Sequence, residues 1–353
     1  MGYLIKIKMI IINGESGGGQ MLRTALALST ITKKPFKMIN IRKSRPKPGL
    51  KKQHNSCINA YVELFKCKVI GNFIESQEIE FYPGDRKKKK LDLDIGTAGS
   101  ITLLLQSIIF PLFVEGSGYK IKIKGGTDVK WSMPIDYFTE IILPHFRRFS
   151  DYEITLNKRG FYPKGGGEIE LKIKKHNYNI IKKINLNTEA RLECIKGISF
   201  ASKELENKKV AERQSQAATN IFLKNKVITR ISNMYYQTES IGSSITLWAV
   251  YSKNDDIDYI NQLKTGSDAL GEINLSSENV GEKAAKKLID IISDGFKCDV
   301  HLSDNLIPLL ALIGGTIKIE KESEHIKNNI LVCEKFTKTK FNIKNNIIIA
   351  NKN

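Results

Sequence analysis

The sequence is short of cysteine, of histidine pairs and of acidic charge, and each shortage removes a class of protein. Five cysteines among 353 residues, at 57, 67, 194, 298 and 333, form no C-x-x-C pair and are too few for a disulfide framework. A reducing compartment is favoured, with the cytoplasm expected. The histidines at 54, 145, 176, 301 and 325 include no pair at three to five residues and no H-E-x-x-H, which argues against a histidine-rich zinc site. There is no G-x-S-x-G elbow of a serine hydrolase. The uncharged run at 95 to 114 has the length of a membrane span. Gly96, Thr97, Gly99, Ser100, Thr102, Gln106 and Pro111 suit it better to a buried helix, so no membrane partner is expected. "MGYLIKIKMIIING" at the start is strand-like, is interrupted by Lys6 and Lys8, and has no small-residue cleavage site, so it does not read as a signal peptide.

Acidic residues number 37 against 56 lysines and arginines, leaving a net charge of +19. A field of that sign attracts phosphate polymers and speeds their encounter with the surface, which makes RNA or DNA a candidate partner. The pentapeptide "RKKKK" at 86 to 90 reads as a solvated turn.

What is present is a strand-turn-helix unit that recurs. Residues 8 to 13 read as a buried strand, followed by glycines and a helix from about 20 to 32 with Leu22, Ala25, Leu26 and Ser29 at helical spacing. "DIGTAGSITLLLQSIIF" (94 to 110) repeats the pattern, and "HLSDNLIPLLALIGG" (301 to 315) echoes it more faintly. Further strands are expected at 119–124, 153–156, 168–174, 227–232, 244–251, 316–320 and 339–349, and helices at 55–67, 134–148, 208–223 and 279–294. The segment 186–276 follows a Lys- and Asn-rich stretch and carries strand and helix signals of its own. It reads as a small domain inserted into a larger one made of 1–185 and 277–353.

Two stretches suit an anion. In "NGESGGGQMLRTALALS" (13 to 29), Gly14 and Gly19 have the separation of phosphate-loop glycines, but Gln20 and Met21 replace the Lys and Ser/Thr of that loop. Gly17 to Gly19 still permit close backbone approach, and the helix they open offers unpaired N–H groups. Arg23 in the first turn can add a charged fork, and Glu15 can hold a divalent ion. In "IRKSRPKPGLKKQH" (41 to 54), Pro46 and Pro48 stiffen a loop bearing Arg42, Lys43, Arg45, Lys47, Lys51 and Lys52, so its cations lose less freedom on binding a polyanion. Gln53 and His54 close the run with further donors.

Six segments in order, "GESGGGQMLRTALALS", "IRKSRPKPGLKKQH", "GTAGSITLLLQ", "GGTDVKWSMPIDY", "RGFYPKGGGE" and "HLSDNLIPLLALIGG", span nearly the whole chain and together resemble the RNA 3′-terminal phosphate cyclase family. The resemblance implies an α/β fold: a large domain of three repeated α/β units, similar to the C-terminal domain of translation initiation factor three, with a small inserted α/β domain. It implies an enzyme that uses ATP to adenylylate a histidine, passes AMP to an RNA with a 3′-terminal phosphate, and lets the neighbouring 2′-hydroxyl displace AMP to leave a 2′,3′-cyclic phosphate. By that matching the nucleophile is His325, in "SEHIKNNILVCEKF", with His301 the second candidate. ATP contacts fall to Gln106 and to His301, Leu302, Ser303, Asp304 and Asn305. The RNA-end phosphate falls to Arg23, Arg42, Arg45, Gln53 and His54, and a divalent cation, Mg²⁺ or Mn²⁺, to Glu15. Asn305 stands where many relatives have Gln, and Asn328-Asn329 where bacterial relatives often have Thr-Asn. A non-catalytic RNA-binding relative in ribosome biogenesis and an enolpyruvyl transferase of similar repeated architecture are the competing readings, and no sequence signal assigns an oligomeric state.

Overall fold

The computed structural model describes residues 8–175, 181–253 and 262–352. The first seven residues of the expected N-terminal strand, and 176–180 of the Lys- and Asn-rich stretch, lie outside these. Within them one connectivity is written three times. The first unit runs β1 (Ile10–Asn13), α1 (Gly19–Thr32), β2 (Phe36–Ile39), α2 (Lys52–Leu64), β3 (Lys68–Ile70) and β4 (Ile79–Tyr82), with sheet order β1-β2-β4-β3. The second runs β5 (Lys90–Asp94), α3 (Ile101–Glu115), β6 (Ser117–Gly125), a helical stretch, β7 (Tyr152–Lys158) and β8 (Gly167–Lys175), with order β5-β6-β8-β7. That stretch begins as α4 (Ile135–Tyr137) and passes through a π turn (Phe138–Ile142) into a 3-10 helix (Leu143–Arg148). Pro144, which has no N–H to give an α-helical ladder, falls at the start of that 3-10 segment.

The third unit opens with β9 (Ile184–Leu186) and is then interrupted. A separate sheet follows, made of β10 (Arg191–Ser202), β11 (Thr229–Tyr236), β12 (Ser243–Ser252) and β13 (Lys264–Leu270) in the order β11-β10-β12-β13, with α5 (Val210–Lys224) and α6 (Ser277–Ile292). The third unit resumes with α7 (Val300–Ile313), β14 (Gly315–Lys318), α8 (Glu324–Phe336), β15 (Lys340–Lys344) and β16 (Ile347–Asn351), giving β9-β14-β16-β15. In all three units the first strand pairs parallel with the second, and the other pairings are antiparallel. The interruption therefore sits between first strand and first helix, the place that the glycine turn occupies in unit one. The sequence reading ended the insert at 276, whereas α6, from Ser277, packs on α5, β12 and β13.

Burial explains the layering. Strands such as β5 and β8 alternate buried and accessible residues, the mark of a sheet with one covered face. Helices cover that face, and α1 is packed on α3 and α8. Its residues Thr24 to Thr30 are buried without a break, because a helix enclosed on all sides needs no polar face. Ser29 and Thr30 donate their hydroxyls to backbone carbonyls of Lys34 and Leu26 and so tolerate the enclosure. β12 is buried at all ten positions, with α5 and α6 on one side and α4 reaching it as well.

Candidate active site

The glycine turn is shaped around His54. A Cβ at Gly19 would collide with Nε2 of that imidazole and would stand 3.1 Å from Nη1 of Arg23, so any larger residue here would have to displace His54. His54 Nδ1 accepts the Lys51 N–H at 2.9 Å, which puts the proton on Nε2 and aims a donor at the start of α1. Burial, then Arg23, Arg42 and Lys51, push this imidazole down to about 3, so it stays neutral. Arg45 joins from the stiffened loop, its Nη2 4.0 Å from where a Gly18 side chain would begin. Arg42 is held at φ +57 and its N–H bonds the Gly14 carbonyl at 3.2 Å.

Among the described residues, neither Arg23, Arg42 nor Arg45 has a carboxylate partner. Burial lowers the pKa of Arg23, and burial followed by Arg45 lowers that of Arg42. Three guanidiniums, an N–H-bearing helix terminus and a neutral imidazole donor thus face one place, with no carboxylate among the described residues to match them. Donors and positive charge arranged in this way suit an anion such as phosphate.

His325 faces the same cations. It lies in the first turn of α8, and partial enclosure, then Arg23, Arg45 and His301, lower its pKa. Since the ring keeps solvent access, this is the effect of crowding by cations and protein mass, short of full burial. A depressed pKa keeps the imidazole unprotonated and its lone pair free at neutral pH.

The start of α8 is pinned by residues far away in sequence. Ser323 caps it, accepting from Ile326 N–H at 3.0 Å and donating to Asp304 Oδ1 at 2.8 Å. Ser16 of the glycine turn donates to Asn328 at 3.2 Å, and Thr24 to Asn329 Oδ1 at 2.8 Å, while Asn329 Nδ2 reaches the Asp304 carbonyl at 3.0 Å. Asn328 therefore ties α8 to the glycine turn, and Asn329 ties it to α1 and α7. The sequence reading gave them no such role and assigned no helix to 324–336. Ser323 followed by Ile326, Ile330, Cys333 and Phe336 at helical spacing was the available signal.

Gln106 meets Arg23, Asp304 and Asn305 in a cleft between α1, α3 and α7 that Gln20 and Asn329 also line. Burial pushes Asp304 up to about 7, with the Ser323 hydroxyl opposing and Asp299 adding to the rise. Asn305 gives its amide to the His301 carbonyl at 2.7 Å. Leu302 and Ser303, expected at the nucleotide, are core residues, and the Ser303 hydroxyl is spent on the Cys298 and Asp299 carbonyls. Gln53 is likewise committed: its amide gives 3.1 Å to Ser100 O and takes 2.7 Å from Ser100 N. Glu15 is exposed at the rim, and among the described residues no three His, Cys, Asp or Glu side chains group to hold a metal.

Asp299, missed in the sequence, fixes the mouth of α7. One carboxylate oxygen accepts Tyr137 OH at 2.6 Å and the N–H groups of His301 and Leu302. The other accepts Thr265 Oγ1 at 3.0 Å and Gly266 N at 2.8 Å. His301 packs edge-on against Tyr137, with Nε2 3.8 Å from Asp268 of β13. The interrupting sheet thereby sets the position of α7.

These features describe an α/β protein equipped to bind phosphate at a helix terminus beside a neutral histidine. Comparison with known proteins narrows the class. Residues 14–343 match the family model described as RNA 3′-terminal phosphate cyclase. The chain is 39% identical to the RNA 3′-terminal phosphate cyclase of Methanosarcina acetivorans, covering 95% of this chain and 97% of that protein. It is 38% identical to those of Pyrococcus furiosus (96% of each chain) and Saccharolobus solfataricus (95% and 96%). The chain belongs to the RNA 3′-terminal phosphate cyclase family.

Proposed function

We propose that this protein is an ATP-dependent RNA 3′-terminal phosphate cyclase in which His325 carries AMP. The neutral His325 nitrogen attacks the α-phosphorus of ATP, a P–N bond forms and pyrophosphate leaves. The RNA 3′-phosphate then displaces the imidazole and takes the AMP. The adjacent 2′-hydroxyl attacks the activated phosphorus, loses its proton and expels AMP, closing the 2′,3′-cyclic phosphate. Arg23, Arg42, Arg45 and the His54 Nε2 donor hold the charge on the phosphates, which grows as each leaving group departs. Gln106, Asp304 and Asn305 line the nucleotide side, with His301 at its edge.

Of this donor set Glu15 is the one carboxylate that would hold a divalent cation, whose remaining ligands would come from outside the protein. Mg²⁺ commonly binds in that way, keeping several waters. When bound it neutralises phosphate charge.

The observation that supports this reading most strongly is the convergence on one helix terminus, facing His325, of three arginines that have no carboxylate partner among the described residues. Incubation with α-labelled ATP and Mg²⁺ is expected to give an acid-labile protein adduct. His325→Ala abolishes it, whereas His301→Ala weakens ATP use but leaves some label. Full labelling of the His325→Ala protein would overturn the assignment.

A further inference from the structure

Two of the segments singled out in the sequence, "GGTDVKWSMPIDY" and "RGFYPKGGGE", contain aromatic residues that this end chemistry does not use. Trp131 is 89% exposed and Tyr162 76% exposed. Burial does not account for either ring. Backbone preference does not account for Trp131, which sits at φ +71, where bulky residues are outliers.

Both loops abut the turn at 96–100 that opens α3. Gly126 bridges to Ser100, and Thr102 Oγ1 donates to the Met133 carbonyl at 2.8 Å, which holds the Trp131 loop. Gly165, at φ +79, lies so close to the Thr97 carbonyl that no Cβ fits, which holds the Tyr162 loop. The opposite flank of the same turn is tied by Gln53 to the helix that carries His54. Through this turn the aromatic loops adjoin the cationic cluster. Lys158 and Lys164 flank Tyr162, both exposed and neither with a carboxylate partner among the described residues, and Lys130 Nζ stands 5.6 Å from the Trp131 ring centroid.

We infer that Trp131 and Tyr162 are stacking platforms for the unpaired nucleotides preceding the 3′-terminal phosphate, with Lys158 and Lys164 along the strand's backbone. Every base has a π face, so such platforms take a single strand with little regard to sequence, while the lysines follow its phosphates. Ile241 and Ile273, exposed on nearby turns of the interrupting sheet, would suit a second copy of this chain. A net charge of +19 and unpaired lysines on the same rim repel a second copy and attract a polyanion. The inference rests on the proposed seat of the terminal phosphate at Arg23, Arg42 and Arg45.

The chain has two tryptophans, and Trp248 is buried, so RNA binding can be read from emission alone. An oligoribonucleotide of about ten residues with a 3′-phosphate is expected to quench the exposed tryptophan of the wild type and to leave Trp131→Phe unquenched. In AMP transfer to that RNA, Trp131→Ala and Tyr162→Ala each raise KM about tenfold with kcat unchanged, and Trp131→Phe recovers most of the loss. A nucleoside 3′-phosphate, which has no preceding nucleotide, is used equally by all four proteins, and self-adenylylation is the same in all. Equal losses on the short and long substrates would overturn the inference, as would a wild type left unquenched by saturating RNA. So would a concentration-dependent dimer that Ile241→Lys abolishes while RNA parameters stay fixed. Quenching needs no turnover, so it still reports on the strand if His325 proves unable to take AMP.

Discussion

Arg23 and Arg159 are the same side chain in opposite circumstances. Arg159, 1% exposed, makes paired bonds of 2.7 and 2.8 Å to Asp136 and stands 3.4 Å from Asp128. Its guanidinium lies 3.5 Å from the Phe200 ring centroid and 4.8 Å from that of Tyr236. It clasps the second unit to the interrupting sheet, and two carboxylates and two aromatic faces compensate its charge. Arg23 is enclosed as well, yet its neighbours are the neutral His54 and the Cys57 thiol, and no carboxylate reaches it among the described residues. Where the fold supplies the counter-charge, an arginine is architecture. Where cations are gathered without one, the arrangement suits an anion from outside the chain.

The largest expected effect breaks the compensated side. Arg159→Ala leaves Asp136 and Asp128 buried without their cation and costs about 3–5 kcal/mol in denaturant unfolding. Arg23→Met carries no such penalty: the ligand-free protein stays within about 0.5 kcal/mol of wild type or gains stability. A loss from Arg23→Met as large as that from Arg159→Ala would abolish the distinction.

Next in size is the response to a surrogate anion. Pyrophosphate at a hundred times its Kd stabilises the wild type by about 2.7 kcal/mol through linkage. Arg159→Ala should gain the same increment from its lower starting point, and Arg23→Met, measured at the same concentration, little of it. Thermal shift with and without pyrophosphate checks both.

Asn329 separates charge from framework. Asn329→Ala removes its bonds to Thr24 and to the Asp304 carbonyl and strands buried partners, a loss of about 1–3 kcal/mol. Because α8 is then less firmly held against α1, self-adenylylation should fall while pyrophosphate stabilisation persists. Loss of both together would mean that the cationic cluster itself depends on this bond.

The two regions were also unequally legible in the sequence. Gly17 to Gly19, Arg23, Arg42 and Arg45 could be read because each lies in a local pattern: a glycine turn opening a helix, or a proline-stiffened basic loop. The clasp could not, since Arg159 finds Asp136 and Asp128 across two motifs whose pairing exists only after β6, β7 and β8 assemble. Asn328 and Asn329 were opaque for the same reason, their partners lying 312 and 305 residues away. The expected strands at 119–124, 168–174 and 244–251 fall within β6, β8 and β12. The expected strand 339–349 is a hairpin, β15 and β16, turned by Asn345 and Asn346 at φ +51 and +57, and asparagine tolerates that geometry better than most residues. Three repeats were visible only faintly because what they share is sheet order, which side chains encode loosely, and because the third is split by an interrupting sheet.

The smallest effect tests the comparison at a single proton. Burial and then Arg23, Arg42 and Lys51 push His54 down to about 3, while burial, against the pull of Arg159 and helped by Asp136, raises Asp128. For His54 the unfolded chain binds a proton from pH 6.5 downward and the folded chain does not until about 3, so its contribution to stability is present above pH 6.5 and drains away across that window. Arg23→Met removes one repelling cation. The His54 midpoint, followed by NMR of the imidazole C–H, should climb part of the way back toward 6.5, since burial, the larger cause, remains. Bound pyrophosphate should raise it in the wild type by the same logic. An unmoved midpoint in both experiments would mean that enclosure alone keeps His54 neutral, and that the gathered arginines do not act on it as a common positive field.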